Sequence, residues 1–185
     1  SEALPVDAPR RCCTPANRRS GGWAIPASRG VMRVRPDRRV VSVVGDGCFL
    51  MSGLEVSTAA RADLPVKFFV INDGTYHYMQ MLQQAAYRRT TATELARIDF
   101  AALARGLGLG YHEIGCNDDL SAGIRHALET PGPVLTTVNV SYEGREIRWL
   151  KAVKAAYLDR LSTQKKVRLA TRIGMRTVNR SRPND

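Results

Sequence analysis

Two short runs of β-branched and aromatic residues, each closed by an acidic glycine turn, constrain this chain more than any other feature. Residues 39–44 (RVVSVV) run straight into Gly45-Asp46-Gly47, and residues 66–71 (VKFFVI) into Asn72-Asp73-Gly74. Apolar runs of this length suit strands buried on both faces, the condition of a parallel sheet. Residues 52–62 between them have helical spacing. Further on, residues 100–107 read as a helix ended by glycines, 111–114 as a short strand, 120–129 as a helix and 133–140 (PVLTTVNV) as a strand. The alternation predicts an α/β fold, a parallel sheet with helices on both faces. Ligands of open parallel sheets sit at the carboxyl ends of the strands, so the turns after Val44 and Ile71 are the expected site.

Composition sets the frame for that fold. The chain has 185 residues, 44% hydrophobic and 24% charged, enough for one domain with a sizeable core. No apolar run approaches the ~18 residues of a membrane span, so no membrane role is expected. Residues 1–19 lack the apolar segment of a secretory leader, and a cytoplasmic protein is expected. Cys12, Cys13, Cys48 and Cys116 form neither a CxxC pair nor zinc-site spacing, which predicts free thiols.

The net charge of +11 is uneven. Residues 1–40 carry +6, residues 41–144 carry −4 and residues 145–185 carry +9. In the last segment Ile147, Leu150, Val153, Ala156, Tyr157 and Leu161 recur at helical spacing between basic residues, which predicts an amphipathic helix, with a second basic helix over residues 164–175. Neither carries interleaved aromatics or a nucleic-acid motif, so a solvated face is the expectation and nucleic-acid binding is not. The expected organisation is an irregular Arg/Pro-rich segment (1–20), an α/β domain (21–144) and a basic helical extension (145–185).

A strand followed by Gly-Asp-Gly and a helix offers a fixed carboxylate, close backbone approach and free N–H groups at a helix start. Those are the needs of a diphosphate and its metal. Mg²⁺ takes one or two carboxylates and completes its shell with phosphate oxygens and water. Asp46 supplies one carboxylate, Asp73 at the end of the next strand a second, and the Thr75 carbonyl is a third candidate ligand.

Gly45-Asp46-Gly47 followed at this interval by Asn72-Asp73-Gly74 resembles the thiamine diphosphate-binding motif of the acetolactate synthase and pyruvate oxidase family. Gly22-Trp23-Ala24-Ile25-Pro26-Ala27, Arg35-Pro36-Asp37-Arg38-Arg39, Asp99-Phe100-Ala101-Ala102-Leu103-Ala104 and Gly132-Pro133-Val134-Leu135 resemble further family landmarks. The likeness covers residues 21–142 and implies the thiamine diphosphate-binding fold. It also implies Mg²⁺ on Asp46, Asp73 and the Thr75 carbonyl, and a cofactor contacted by Gly45, Gly47, Cys48, Asn72 and Tyr76. Tyr78, Met79 and Leu82 fall where the family lines its substrate channel, although Met and Tyr at helical spacing also suit a core.

Three positions depart from the family pattern: Asp73 stands where most members have Asn, His77 where Gly is common, and Gly21 where a bulky apolar residue is usual. The resemblance implies decarboxylation and carbon–carbon bond formation on 2-oxo acids. The activating Glu of such enzymes lies on a pyrimidine-binding domain, and no residue here takes that role, since Glu55 falls in the wrong element. A homo-oligomer or a second chain supplying that domain is the expected partner. A non-catalytic truncated remnant and a basic interaction module are the other readings.

Overall fold

The computed structural model describes residues 12–14, 20–115, 118–142 and 171. The chain divides into two compact units, Ser1–Ser141 and Tyr142–Asp185. The helices expected within residues 145–175, and Cys116, lie outside the described residues, Thr171 excepted. Cys12, Cys13 and Cys48 are free thiols.

The first unit opens with helix α1 (Ala24–Val34), followed by strand β1 (Val41–Gly45). Helix α2 (Asp46–Ser52), a single 3-10 turn (Gly53–Glu55) and helix α3 (Val56–Arg61) then lead to strand β2 (Lys67–Asn72). After it come α4 (His77–Tyr87), α5 (Phe100–Gly106), β3 (Gly110–Ile114), α6 (Leu120–Glu129) and β4 (Val134–Asn139). The expected strands and helices are present, with ends moved by a residue or two. The expected helix over 52–62 starts earlier and is interrupted by the 3-10 turn at Gly53–Glu55. A Cβ at Gly53 would stand 2.5 Å from the Phe49 ring. That ring instead folds back over the glycine and meets Phe100 edge-on at 5.6 Å. Helix α1 was not foreseen: Pro26 lies in its first turn, where a missing N–H costs no hydrogen bond.

Among the described residues there are four strands, all parallel, in the order β1-β2-β4-β3. On one face Val44, Phe68, Val70 and Leu135 pack with Ile25 and Met32 of α1, Phe49, Val56 and Ala59 of the next helical run, and Phe100 and Ala104 of α5. On the other, Phe69, Ile114 and Val138 pack with Ala127 of α6. The sheet therefore carries helices on both faces, as the apolar runs require. Helix α6 begins at Asp119, whose carboxylate accepts the N–H groups of Ser121 and Ala122, and α5 at Asp99, which accepts from Ala102.

At the amino end of β2 the side chain of Lys67 is buried. Its ammonium donates to the carbonyls of Thr130 and Gly132, the latter at 2.6 Å, tying the turn before β4 to the sheet. Burial, with Arg39 nearby, pushes its pKa down. Among the described residues no helix is long and apolar enough to cross a membrane.

Candidate cofactor site

The carboxyl ends of β1 and β2 are joined by one side chain. Asp46 is only 4% exposed and is the first residue of α2. One of its oxygens, Oδ2, accepts the backbone N–H groups of Gly74 at 2.7 Å and Asp73 at 3.2 Å, and Oδ1 accepts that of Gly47 at 2.7 Å. A buried carboxylate is tolerable when donors surround it in this way. A carboxylate has about four lone-pair positions, so three N–H groups leave roughly one, on Oδ1, for a cation.

Asp73 turns back on its own loop. Its Oδ2 accepts the Thr75 hydroxyl at 2.9 Å and lies 3.3 Å from His77 Nδ1. Gly74 takes φ +71°, a left-handed conformation that lets the loop reverse beneath Asp46. The loop is pinned by an antiparallel bridge between Thr75 and Glu94, in which Leu95 N–H donates to the Gly74 carbonyl and Tyr76 N–H to that of Thr93. Among the described residues no backbone N–H bonds the Thr75 carbonyl. Gly47 is closed from above by Tyr76, since a Cβ at Gly47 would stand 2.5 Å from Tyr76 Cε1.

A cavity of about 430 Å³ opens at these strand ends, lined by Asp46, Asn72, Asp73, Arg97, Glu113 and Asn139 among others. The Asp46 and Asp73 carboxylates on this cavity, with the Thr75 carbonyl on the adjoining loop, form a hard, oxygen-rich donor set, of the kind completed by phosphate oxygens and water. Among the described residues no three His, Cys, Asp or Glu converge as a closed metal site. The residues present fit a magnesium diphosphate.

The family described as "Thiamine pyrophosphate enzyme, C-terminal TPP binding domain" matches residues 1–138. The chain belongs to that thiamine pyrophosphate (diphosphate) domain family. The family match starts ahead of Gly21, where the motif resemblance begins. This thiamine diphosphate domain is 36% identical over 121 residues to the "Acetolactate synthase" of Bacillus subtilis, covering 65% of this chain and 21% of the relative. It is 29% identical over 145 residues to "Acetolactate synthase isozyme 1 large subunit" of Escherichia coli, covering 77% and 26%. With the catabolic acetolactate synthase of Raoultella terrigena the identity is 31% over 121 residues, covering 65% and 22%. The matched part spans about a fifth to a quarter of these relatives' length.

Of the residues singled out in the sequence, Asp46, Asn72 and Asp73 line the cavity, whereas Gly45, Gly47, Thr75 and Tyr76 are not among its lining residues. Gly45 ends β1 just before Asp46, and Tyr76 packs on Gly47. Cys48 is half-buried in α2. Tyr78, Met79 and Leu82 lie on α4, exposed, and do not line the cavity. None of α4 is buried, although it holds four large exposed apolar side chains, Tyr78, Met79, Leu82 and Tyr87. Where the family has its bulky residue, Gly21 leaves space taken by Met51, whose Sδ lies 2.4 Å from the position a Cβ would occupy.

Sequence reading missed Glu113, Asn139 and Arg97, which also line the cavity. Glu113 and Asn139 stand near the carboxyl ends of β3 and β4, and that position was a usable signal once those strands were assigned. His112 and His126 stack with ring centroids 4.0 Å apart on β3 and α6, and neither lines the cavity.

Proposed function

We propose that this chain binds thiamine diphosphate with Mg²⁺ and is the diphosphate-binding part of an acetolactate synthase-like enzyme that acts on 2-oxo acids. The observation that carries the reading is Asp46, buried at the end of β1 and bonded to the backbone of the second turn. That contact sets the two acidic turns as one rigid unit before any ligand arrives, which lowers the ordering cost of binding. Mg²⁺ would be held by Asp46, Asp73 and the Thr75 carbonyl.

The chemistry divides between cofactor and protein. Thiamine diphosphate supplies the carbanion chemistry that decarboxylates a 2-oxo acid and forms a carbon–carbon bond, and the protein binds and orients it. Gly45, with open space at its Cβ position, would leave the backbone bare where the diphosphate approaches, and Gly47 leaves room for the Tyr76 ring. The Gly47 N–H is taken by Asp46 Oδ1, so Cys48 offers the available first-turn N–H. Asn72 would brace the second turn, and Tyr76, which packs over Gly47, would contact the cofactor. Tyr78, Met79 and Leu82 would face substrate once a partner covers α4.

The reading expects a partner, a homo-oligomer or a second chain supplying the pyrimidine-binding domain, to bring the activating carboxylate to this site. Native mass spectrometry of the chain purified from its own cells, with thiamine diphosphate and Mg²⁺ present, tests this. A complex carrying cofactor and a second polypeptide is the expected result. A bare monomer that takes up no cofactor overturns it and favours a remnant or a basic interaction module.

A further inference from the structure

Three side chains run as a ladder across the strand ends. Glu113 on β3 accepts from Asn139 Nδ2 on β4 at 2.7 Å, and Asn139 Oδ1 accepts from Asn72 Nδ2 on β2 at 2.8 Å. Asn72 and Asn139 are register partners on adjacent strands, and all three residues line the cavity that holds Asp46 and Asp73. Tyr111 steadies the far end, its hydroxyl 3.3 Å from Glu113 Oε2 and 2.8 Å from Thr137 Oγ1.

The order of donors along this ladder is dictated by its first member. A carboxylate only accepts, whereas an amide presents a donor on one side and an acceptor on the other. Asn139 must therefore turn its NH₂ group to Glu113 and its oxygen to β2. Asn72 must answer with its NH₂ group, which leaves its Oδ1 for whatever the cavity holds. An amide oxygen presented to the cavity that Asp73 also lines suits the water shell of a cation and disfavours a bare phosphate oxygen. From this geometry we infer that Glu113 and Asn139 are positioning residues. Glu113 acts through Asn139 to fix Asn72 with its oxygen toward the cation side of the site. This rests on the reading that the cavity takes thiamine diphosphate with Mg²⁺.

The polarity argument and simple charge make opposite predictions. Removing the Glu113 charge near a polyanion should tighten binding by Coulomb's law, whereas releasing the amide order should weaken it. Thiamine diphosphate titrated calorimetrically into the full chain in excess MgCl₂ separates them. Glu113→Leu is expected to weaken binding about five- to tenfold, the equilibrium equivalent of one hydrogen bond. Glu113→Gln, whose carbonyl still accepts from Asn139, is expected to stay within about twofold of the parent.

Unchanged or tighter binding by Glu113→Leu overturns the inference, as does equal weakening by both variants. The side-chain amide resonances of Asn72, read by NMR on the chain without cofactor, give a separate answer. They are expected to shift in Glu113→Leu and to hold in Glu113→Gln, and an unmoved Asn72 in Glu113→Leu overturns the inference. If the parent chain itself fails to bind thiamine diphosphate, the proposed function falls, while the NMR result still decides the ladder.

Discussion

The Asp46 carboxylate accepts the backbone N–H of Gly74 at 2.7 Å, across a separation of 28 positions in the chain. The same side chain is thus a candidate metal ligand and the clasp between two loops. Its removal should be felt in both roles.

Asp46→Ala leaves three N–H groups without their acceptor in a mostly buried place. Chemical denaturation should show a loss of about 2–4 kcal/mol, and calorimetry should show no Mg²⁺-dependent binding of thiamine diphosphate. A variant that binds the cofactor as the parent does would remove Asp46 from the metal site.

Asp73→Asn should keep cofactor binding, because the amide oxygen can still ligate a cation and the Thr75 hydroxyl can still donate to it. One negative charge fewer next to a diphosphate should lower the Mg²⁺ concentration needed for half-maximal binding. Loss of binding on this change would mean that both carboxylate oxygens of Asp73 are required.

Gly47→Ala drives a methyl group to 2.5 Å from Tyr76 Cε1. The ring has to move off the start of α2, at a cost of about 1–3 kcal/mol for overpacking. Gly47→Ala combined with Tyr76→Ala should recover most of that loss in thermal denaturation. A single Gly47→Ala variant as stable as the parent would show that the ring yields freely.

The stacked His112–His126 pair predicts a pH effect away from the site. Burial and the facing His126 hold the His112 pKa below 6.5. The neutral ring is favoured in the fold and the unfolded chain binds the extra proton, so stability rises with pH between the folded value and 6.5 and falls on acidification through that window. Urea midpoints between pH 5 and 7.5 should show this slope, reduced in His112→Gln. An equal slope in the variant would assign the effect elsewhere.

Lys67→Met should cost about 1–3 kcal/mol, because the carbonyls of Thr130 and Gly132 lose a charged donor. The turn between α6 and β4 should exchange its amide hydrogens faster, and unchanged exchange there would show that the Lys67 contacts do not anchor it.

Neighbouring residues settle part of this fold among themselves. The apolar runs named β1 and β2, the acidic glycine turns gave the site its address at Asp46 and Asp73, and α6 spans the residues that its periodicity marked. These are short-range matters, decided by side-chain period and by which residues tolerate a tight turn.

What the tertiary structure alone decided is which strand ends meet. Strand β4, the last strand among the described residues, lies between β2 and β3. Only that insertion sets Asn139 beside Asn72 and brings Glu113 to the same cavity. It likewise took the folded loop to lay residues 93–95 against 74–76 and hold the Asp73 turn. Periodicity along a chain assigns a residue to a face of its own element, but the neighbour across the sheet depends on crossover connections and on the burial of whole faces, which no local stretch encodes.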